Sequence, residues 1–358
     1  MRLYLIDKLS CPKCGHFPLS VEASTWQETK DLQIEIDSPC SSYCAYSRIA
    51  LVGKSSIELS CSQCLIQRIT SGELICPYCH SRYPIENGIP ALLVDLSEWV
   101  EEEQTWWNKH YAKIAHQIAL KVRNTEQDVP GNRWFERNRF LFVPLRSRGV
   151  HGLVLEVGAG FSQYVAGLFP PLRERYLYVG TDVSRVALEK ALQLLPEGDF
   201  IQCDVNKLPF RREVFDVVLC LGVLHHLPDW QTNLRQLIGL LRPGGWILFD
   251  EAIDKPKVFG RFRKQSLTAA IDSPHEGEIS AKDLLNIFKE EGHLVNYCVK
   301  STPLRVLMVW IGGLWIERSL LLTRIMHKAD ELFLTWVGTL FKSLGGGEII
   351  GIFEKRSR

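Results

Sequence analysis

From residue 150 onward, short apolar runs alternate with segments in which apolar residues recur at helical spacing. The runs predict strands, and the segments between them predict helices at residues 185–195 and 231–241. Strands that alternate with helices at this spacing indicate crossover units, and therefore an α/β fold built on a parallel sheet. The strands are predicted at residues 153–157, 176–181, 200–203, 215–221 and 246–250.

The same alternation continues toward the end of the chain. Ser280 and Asp283 form a Ser-x-x-acid capping pattern at the start of a further helix, and Ile279 can pack against Leu284 as a hydrophobic staple. Gly292 is suited to end that helix. Two more strands are predicted near residues 294–299 and 348–354.

The distribution of cysteines along the chain indicates two domains joined by a linker. Eight of the eleven cysteines lie before residue 80, so we interpret residues 1–95 as a cysteine-rich zinc-binding module and residues 131–358 as a second domain. Residues 96–130 predict a helical linker that Ser97 caps and that Pro130-Gly131 ends. The other cysteines lie in apolar runs and are predicted core residues, namely Cys203, Cys220 and Cys298.

The early cysteines form four closely spaced pairs. Two-residue spacing lets both thiolates of a tight turn reach one tetrahedral zinc ion. Clustered cysteines in a reducing compartment favour metal binding over disulfides. Eight thiolates are enough for two closed zinc sites, although spacing alone leaves an iron–sulfur cluster open. The pairs are Cys11-Cys14, Cys40-Cys44, Cys61-Cys64 and Cys76-Cys79.

A glycine loop at residues 158–160 follows the first predicted strand of the second domain. Glycines there let the backbone approach a ligand at the carboxyl end of a parallel strand. Gln163 occupies the place of a third fingerprint glycine, which argues against NAD or FAD. Asp182 and Asp204 end the next two strands, where carboxylates can bind a ribose and an adenine edge. For Asp182, the alternative is a cap for the helix that begins near Ser184.

This series of motifs resembles the class I S-adenosylmethionine-dependent methyltransferases of the methyltransferase type 11 group. The resemblance runs from about residue 133 to residue 251, through LEVGAG, TDVS, CDVNKLPF, FDVVLCLGVLHHLPD and LRPGG. In the last of these, Pro243, Gly244 and Gly245 are expected to form the turn into the fifth strand. The resemblance implies a Rossmann-like sheet of seven strands, the last antiparallel, with S-adenosylmethionine as cofactor. The implied cofactor contacts are Glu156, Gly158, Ala159, Gly160, Asp182, Val183, Asp204, Val205, Leu221 and Gly222.

The family has no universal catalytic residue, because the sulfonium already makes the methyl group electrophilic. The protein aligns a nucleophile and excludes water, and an oxygen or nitrogen nucleophile can also need a general base. We predict His226 and His275 as candidate bases, with His225 and Glu276 beside them. The alternatives are a positional role for the His225-His226 pair and a solvated loop position for His275.

Two stretches around the outer cysteine pairs, LIDKLSCPKCGHFPL and GELICPYCHSRYPIENGIPALL, resemble the small zinc-ribbon proteins that activate methyltransferases. The resemblance pairs Cys11 and Cys14 with Cys76 and Cys79, and implies a structural zinc with no open position. Residues 20–72 insert the other two pairs. The simplest assignment gives this insertion its own metal, and an alternating pairing stays open.

The charge and hydropathy of the chain indicate whether nucleic acid or a membrane is an expected partner. Lys plus Arg number 42 and Asp plus Glu 41, which gives no reason to expect a strong hold on nucleic acid. The N-terminus lacks a signal-peptide core, so a cytoplasmic location is expected. Residues 303–345 are apolar, but their uninterrupted part is too short to span a membrane. We interpret them as a helical lid or insertion. One alternative is a surface for a lipid or membrane-linked acceptor, which would place the protein peripherally at the membrane. The other alternative is a homodimer contact.

The leading functional hypothesis is a methyltransferase acting on a small-molecule, lipid or glycan-type acceptor. A second is a tRNA or protein methyltransferase whose zinc module binds the macromolecular substrate. A third is a non-catalytic scaffold that binds the cofactor.

Overall fold

The computed structural model describes residues 1–29, 40–51, 61–123, 137–149, 151–168, 175–253, 273–275, 277, 279–301 and 347–357. The predicted lid at 303–345, the break at Pro130-Gly131 and the candidate base Glu276 lie outside these residues. Within the described ranges, no helix is both long enough and apolar enough to cross a membrane.

The N-terminal part is a small, mainly antiparallel β structure. Its elements are β1 (Ser20–Glu28), β2 (Tyr43–Cys44), β3 (Ile49–Ala50), α1 (Cys61–Ile66), β4 (Gln67–Ile75), β5 (Arg82–Glu86) and β6 (Ile89–Pro90). Four strands pair in the order β1-β4-β5-β6, and β2 pairs with β3. A 3-10 helix at Leu3–Asp7 is buried beneath them.

A long helix, α2 (Glu98–Arg123), follows this part. Its first turn is capped as predicted, because the backbone N–H of Val100 lies 3.4 Å from the Ser97 hydroxyl oxygen that accepts it. Further along the chain, a π-helical turn at Asn138–Phe142 leads into the short helix α3 (Val143–Ser147).

The remaining elements alternate strand and helix. They are β7 (Gly152–Val157), α4 (Gln163–Leu168), β8 (Tyr176–Asp182), α5 (Arg185–Leu194), β9 (Asp199–Gln202), β10 (Phe215–Leu221), α6 (Trp230–Leu240), β11 (Leu241–Ile253), α7 (Ala281–Glu291), β12 (Gly292–Ser301) and β13 (Gly347–Lys355). The strands form one sheet in the order β12-β13-β11-β10-β7-β8-β9. Strands β7 to β11 pair in parallel, whereas β13 is antiparallel to both β11 and β12. The predicted seven-stranded fold with an antiparallel last strand is confirmed.

The strands read as continuous apolar runs because helices cover both faces of the sheet. Every residue of β8 is buried. Alternate residues of the central strands lie on opposite faces of the sheet and belong to two separate hydrophobic clusters. Val179 packs in the cluster that includes Leu234 of α6, and Tyr178 packs in the cluster that includes Leu188 of α5.

Two local predictions had different outcomes. Helix α7 begins as expected, with the Ser280 hydroxyl oxygen accepting from the backbone N–H of Asp283 at 3.3 Å. The expectation that residues 243–245 form a turn before the fifth strand was wrong. Strand β11 already begins at Leu241, and the Pro-Gly-Gly segment forms an irregularity within it, where Gly244 adopts a φ of 74°.

The N-terminal part docks on the edge strand β9. The backbone N–H of Leu92 donates to the carbonyl of Gln202 at 2.8 Å. Nearby, Asp199 forms buried ion pairs with Arg2 at 3.0 Å and Arg68 at 3.5 Å. Burial opposes ionisation of Asp199, but the charges of Arg2 and Arg68 outweigh it and lower the pKa of this carboxyl to about 2. The two parts of the chain are therefore joined by backbone pairing and by buried charge.

Candidate cofactor and metal sites

The loop after β7 is built around two glycines with left-handed backbones. Gly158 has a φ of 57° and Gly160 a φ of 53°, a region that residues with a Cβ rarely adopt. A Cβ added at Gly158 would lie 2.6 Å from Cγ2 of Val223, and one at Gly160 would lie 2.7 Å from the hydroxyl of Tyr111. Both positions therefore require glycine for conformation and for space.

Asp182 connects this loop to the end of β8. Its Oδ2 accepts from the backbone N–H of Gly160 at 2.8 Å, and its Oδ1 accepts from the N–H of Ser184 at 2.7 Å. Ser184, not Asp182, caps helix α5 by accepting from the N–H of Ala187. Burial raises the pKa of Asp182 to about 6. The two carboxylate oxygens together have about four acceptor positions, so the carboxylate can still accept a further hydrogen bond.

Glu156 lies beneath the loop and is buried. Its carboxylate accepts from the hydroxyl of Tyr178, which is also 2.8 Å from the hydroxyl of Ser162. Burial raises the pKa of Glu156 to about 7, against the opposing hydrogen bond from Tyr178 and the charge of Arg137. This arrangement suits a carboxyl that fixes the glycine loop from below.

The other predicted cofactor contacts lie at the ends of neighbouring strands. Asp204 follows β9 and accepts at Oδ1 from the backbone N–H and the side-chain amide of Asn206; Val205, beside it, is half-buried. Leu221 ends β10 and is followed by Gly222, with a φ of 81°. Because β10, β7, β8 and β9 are adjacent parallel strands, their carboxyl ends form one edge, where ligands bind in such folds.

Helix α2 contacts the loops of this edge, although the sequence predicted only a linker. Gln104 donates to the carbonyl of Val183 at 2.9 Å, and Asn108 accepts from the hydroxyl of Ser184 at 2.6 Å. The ring of Tyr111 lies 4.7 Å from that of Phe161. Residues spaced three or four apart share one face of a helix, and this spacing of residues 104, 108 and 111 was the signal that could have revealed the contact.

Glu251 fixes the histidine loop after β10, a role that sequence reasoning missed. This fully buried carboxylate accepts at Oε1 from the backbone N–H groups of Val223 and Leu224, at 3.0 and 3.1 Å. Its Oε2 lies 2.9 Å from Nδ1 of His225. A buried carboxylate in this position fixes the orientation of the imidazole. The pairing joins residues 26 positions apart, so no local pattern announces it.

The two predicted bases lie in different surroundings. His226 is 2.8 Å from the Ser273 hydroxyl through Nδ1, and burial, with the neighbouring charge of His225, lowers its pKa to about 3. An efficient general base has a pKa near the working pH, so His226 is a weak proton acceptor. His275 pairs with Glu102 at 2.6 Å and stacks on Trp99 at 3.7 Å, which attaches it to the start of α2.

The outer cysteine pairs come together in the N-terminal part. The sulfur atoms of Cys11, Cys14, Cys76 and Cys79 all lie within 4.8 Å of one another. Cys11 is 3.6 Å from Cys79, and Cys14 is 3.6 Å from Cys76. Zn–S bonds near 2.3 Å in a tetrahedron place the sulfurs about 3.8 Å apart, so the four thiols fit a closed zinc site.

Two similar turns present these thiols. Gly15 donates its N–H to the carbonyl of Cys11 at 2.8 Å, and His80 donates to the carbonyl of Cys76 at 3.0 Å. Both donors have left-handed backbones, with φ of 74° and 58°. Of the inner cysteines, Cys40, Cys44 and Cys64 are buried elsewhere in this part, and the side chain of Cys61 lies outside the described residues.

Each part of the chain matches a known protein family. Residues 155–249 match the family described as a methyltransferase domain, and residues 2–88 match the family described as Trm112p-like protein. Phthiotriol/phenolphthiotriol dimycocerosates methyltransferase 1 of Mycobacterium ulcerans is 34% identical over 100 residues, 27% of this chain and 36% of that protein. Methyltransferase str2 of Strobilurus tenacellus is 32% identical over 152 residues, 38% of this chain and 52% of that protein.

The chain thus spans between about a third and a half of the length of these curated relatives. Among solved structures, phosphoethanolamine N-methyltransferase 2 of Haemonchus contortus matches with a TM-score of 0.47 and 14% identity, over 77% of this chain and 62% of that chain. That likeness is too distant to transfer a function. Residues 2–88 are thus similar to the Trm112p-like family and residues 155–249 to the methyltransferase-domain family, within one polypeptide.

Proposed function

We propose that this chain is an S-adenosylmethionine-dependent methyltransferase whose N-terminal domain contains structural zinc. The observation that carries the proposal is the position of Asp182, which hydrogen-bonds the glycine loop at the carboxyl edge of the sheet. A carboxylate in that position, with acceptor capacity left, is suited to the hydroxyls of a ribose.

The bound cofactor would supply a methyl group that its sulfonium already activates. Asp182 would hold the ribose, and Asp204 with Val205 would flank the adenine. The backbone at Leu221 and Gly222 would line the amino-acid part. Helix α2, held to Val183 and Ser184 by hydrogen bonds, would keep bulk water from this edge.

An acceptor oxygen or nitrogen that carries a proton must lose it during transfer. His225, oriented by Glu251, would take that proton more readily than His226, because burial lowers the pKa of His226 and makes it a weak base. His275 remains a candidate base on the segment that packs against α2.

We further propose a lipid or hydrophobic small molecule as the acceptor. The names of the matched relatives support this class, as does a row of aromatic side chains along α2. Trp106 stacks on His110 at 4.8 Å, and Trp107 lies edge-on to His226 at 5.5 Å. The apolar composition of residues 303–345 also favours such an acceptor, and with it a peripheral position of the protein at a cytoplasmic membrane face.

The test is transfer of labelled methyl from S-adenosylmethionine into a host extract, followed by separation into lipid, small-molecule, RNA and protein fractions. We expect label in the lipid or small-molecule fraction, and none with an Asp182→Ala variant. Binding of the cofactor without any labelled product would instead favour the scaffold hypothesis.

An RNA acceptor is the second candidate, and one observation favours it. Tyr78 is 72% exposed at the tip of the zinc site and stacks with His16 at 5.7 Å, a geometry that suits stacking on unpaired bases. Label in the RNA fraction, together with salt-dependent RNA retention that Tyr78→Ala abolishes, would establish this alternative.

A further inference from the structure

One face of helix α2 lies along the carboxyl edge of the sheet. Residues spaced four apart share a face of a helix, and on this face they are Trp99, Glu103, Trp107 and Tyr111. At one end, a Cβ added at Gly160 of the glycine loop would lie 2.7 Å from the Tyr111 hydroxyl. At the other end, Nε1 of Trp99 donates to a carbonyl of the histidine loop at 3.3 Å. The face therefore spans the two loops that flank the place proposed for the amino-acid part of the cofactor.

Aromatic rings surround Trp107, in the middle of this face. Tyr111 stacks on it, with 5.1 Å between the ring centroids. Three further rings stand nearly at right angles to the indole, at 4.7 Å for Trp106, 5.5 Å for His226 and 5.7 Å for His110. All five rings are half-buried, so each keeps surface that a ligand can contact. Several rings packed around one position are typical of aromatic cages, which bind ammonium groups.

The two imidazoles of this aromatic cluster contribute rings without charge. Burial, together with the charge of His225, lowers the pKa of His226 to about 3. Burial and, to a smaller extent, the charge of Lys113 lower the pKa of His110. Both side chains are therefore neutral near pH 7, so neither repels a cation at Trp107. Lys113 itself is exposed, where solvent and salt screen its charge.

Glu103 places a negative charge behind the rings. It is 6% exposed, and its Oε2 accepts from Nε1 of Trp107 at 2.8 Å. Its Oε1 accepts from the backbone N–H of His275 at 3.2 Å. Both donors are uncharged, and no cationic side chain among the described residues forms an ion pair with this carboxylate. A buried carboxylate without a cation is unfavourable, so a cation bound on the face of Trp107 would stabilise the arrangement.

We propose that the aromatic cluster around Trp107 binds the cationic nitrogen of an amine-bearing lipid or small molecule, and that this nitrogen accepts the methyl group. The inference rests on the proposed function and narrows its acceptor class. The rings would contact the ligand, while Glu103 acts through Trp107 as a positioning residue. A hydrophobic surface alone would not need a buried carboxylate hydrogen-bonded to its central indole.

The chemistry of an amine fits the neighbouring histidine loop. An ammonium group has no lone pair, so it must first lose a proton, which His225 would take. The nitrogen lone pair then forms the bond to the methyl carbon. The carbon–sulfur bond breaks with its electron pair left on sulfur, which gives S-adenosylhomocysteine. The product is a methylated ammonium, and the positive charge has moved from sulfur to nitrogen.

Choline tests the site without a known acceptor, because it presents a cationic nitrogen that cannot itself be methylated. Its neutral isostere, 3,3-dimethylbutan-1-ol, has the same shape without the charge. We expect saturable binding of choline to the full-length wild type, followed by tryptophan fluorescence and calorimetry, and about tenfold weaker binding of the alcohol. No binding of choline, or equal binding of the two compounds, would overturn the proposal. This comparison does not depend on whether a variant folds.

Variants then locate the site. Trp107→Leu should abolish choline binding, and Glu103→Gln should weaken it by about threefold or more because the negative charge is lost. Trp107→Phe should keep part of the affinity. The control is Trp26→Leu, since Trp26 is 47% exposed on β1 of the N-terminal domain, and this variant should bind choline like the wild type. Choline affinity that is unchanged in both Trp107→Leu and Glu103→Gln would contradict the assignment.

Titration of S-adenosylmethionine into the same samples separates this inference from the proposed function. Choline and the cofactor should bind together, whereas displacement of choline by the cofactor would show that the rings hold a cofactor cation and would overturn the acceptor site. Choline binding in a protein that binds no cofactor would leave the cation site in place and contradict the proposed function alone. In the labelled extract, the product should be retained by a cation exchanger in acid, and a neutral labelled product would contradict an amine acceptor.

Discussion

The backbone N–H of Gly160 donates to the carboxylate of Asp182 at 2.8 Å, which joins the glycine loop after β7 to the end of β8. Replacing Asp182 with Asn keeps the shape but removes the charge. We expect cofactor affinity to fall at least about tenfold, because hydrogen bonds to a charged group contribute roughly 1.5–3 kcal/mol each. Equilibrium dialysis with labelled S-adenosylhomocysteine measures this. Glu189→Gln, on the outer face of α5, should bind like the wild type.

Acid should weaken cofactor binding. Burial raises the pKa of Asp182 to about 6, so the carboxylate that would accept ribose hydroxyls becomes protonated as the pH falls through this value. Affinity should be constant above about pH 7 and decrease by about tenfold for each pH unit well below 6. A dissociation constant that stays flat between pH 7 and pH 5, in protein that remains folded, would exclude Asp182 as the titrating contact.

Gly160→Ala should damage the site through Tyr111. The new Cβ would lie 2.7 Å from the tyrosine hydroxyl, at a backbone φ of 53°. We expect a loss of about 1–3 kcal/mol in the free energy of unfolding and weaker cofactor binding. Because part of the clash is with the tyrosine hydroxyl, adding Tyr111→Phe should restore some of the lost free energy of unfolding. If the double variant is no more stable than Gly160→Ala alone, helix α2 does not lie against the loop as described.

Glu156→Gln should change how stability depends on pH. The folded-state pKa of about 7 lies above the usual value, so the protonated acid is favoured in the folded chain. The stability that the protonated Glu156 carboxyl contributes is fully present below about pH 4 and is lost as the pH rises through 7. Between pH 5 and pH 8, the wild type should therefore lose about 2 kcal/mol relative to Glu156→Gln. Chemical denaturation at the two pH values tests this, and parallel losses would contradict it.

Asp199→Asn should loosen the contact between the two domains. It leaves Arg2 and Arg68 buried without their carboxylate, and breaking a buried pair costs about 3–5 kcal/mol. The exposed pair of Arg82 and Glu73 provides the control, since Glu73→Gln should change stability by less than about 1 kcal/mol. Thermal unfolding compares the two variants. Equal melting temperatures of Asp199→Asn and Glu73→Gln would show that Asp199 does not stabilise the contact between the two domains.

The sheet could be predicted from the sequence because its strands are short apolar runs separated by helical periodicity. The boundaries of β10 matched the prediction, while β11 began earlier because a Pro-Gly-Gly segment can be accommodated as an irregularity within a strand. The glycine loop and the acids after β8 and β9 were also visible, since strand ends carry recognisable motifs.

Contacts between distant segments could not be predicted in the same way. The pairing of His225 with Glu251 and the docking of Asn108 on Ser184 join residues that share no local pattern. Helix α2 was interpreted as a linker because its charged and aromatic residues are compatible both with an exposed helix and with a helix that covers the carboxyl edge of the sheet. Only the packing of α2 on the loops distinguishes these roles.

Isothermal titration of the zinc-loaded, full-length chain with S-adenosylmethionine tests the central proposal most directly. We predict saturable binding at one site per chain, lost on changing Asp182→Ala while the circular dichroism spectrum and melting temperature are retained. A folded wild-type protein that releases or absorbs no heat, or binding that survives Asp182→Ala unchanged, would contradict a cofactor site at the carboxyl edge of this sheet.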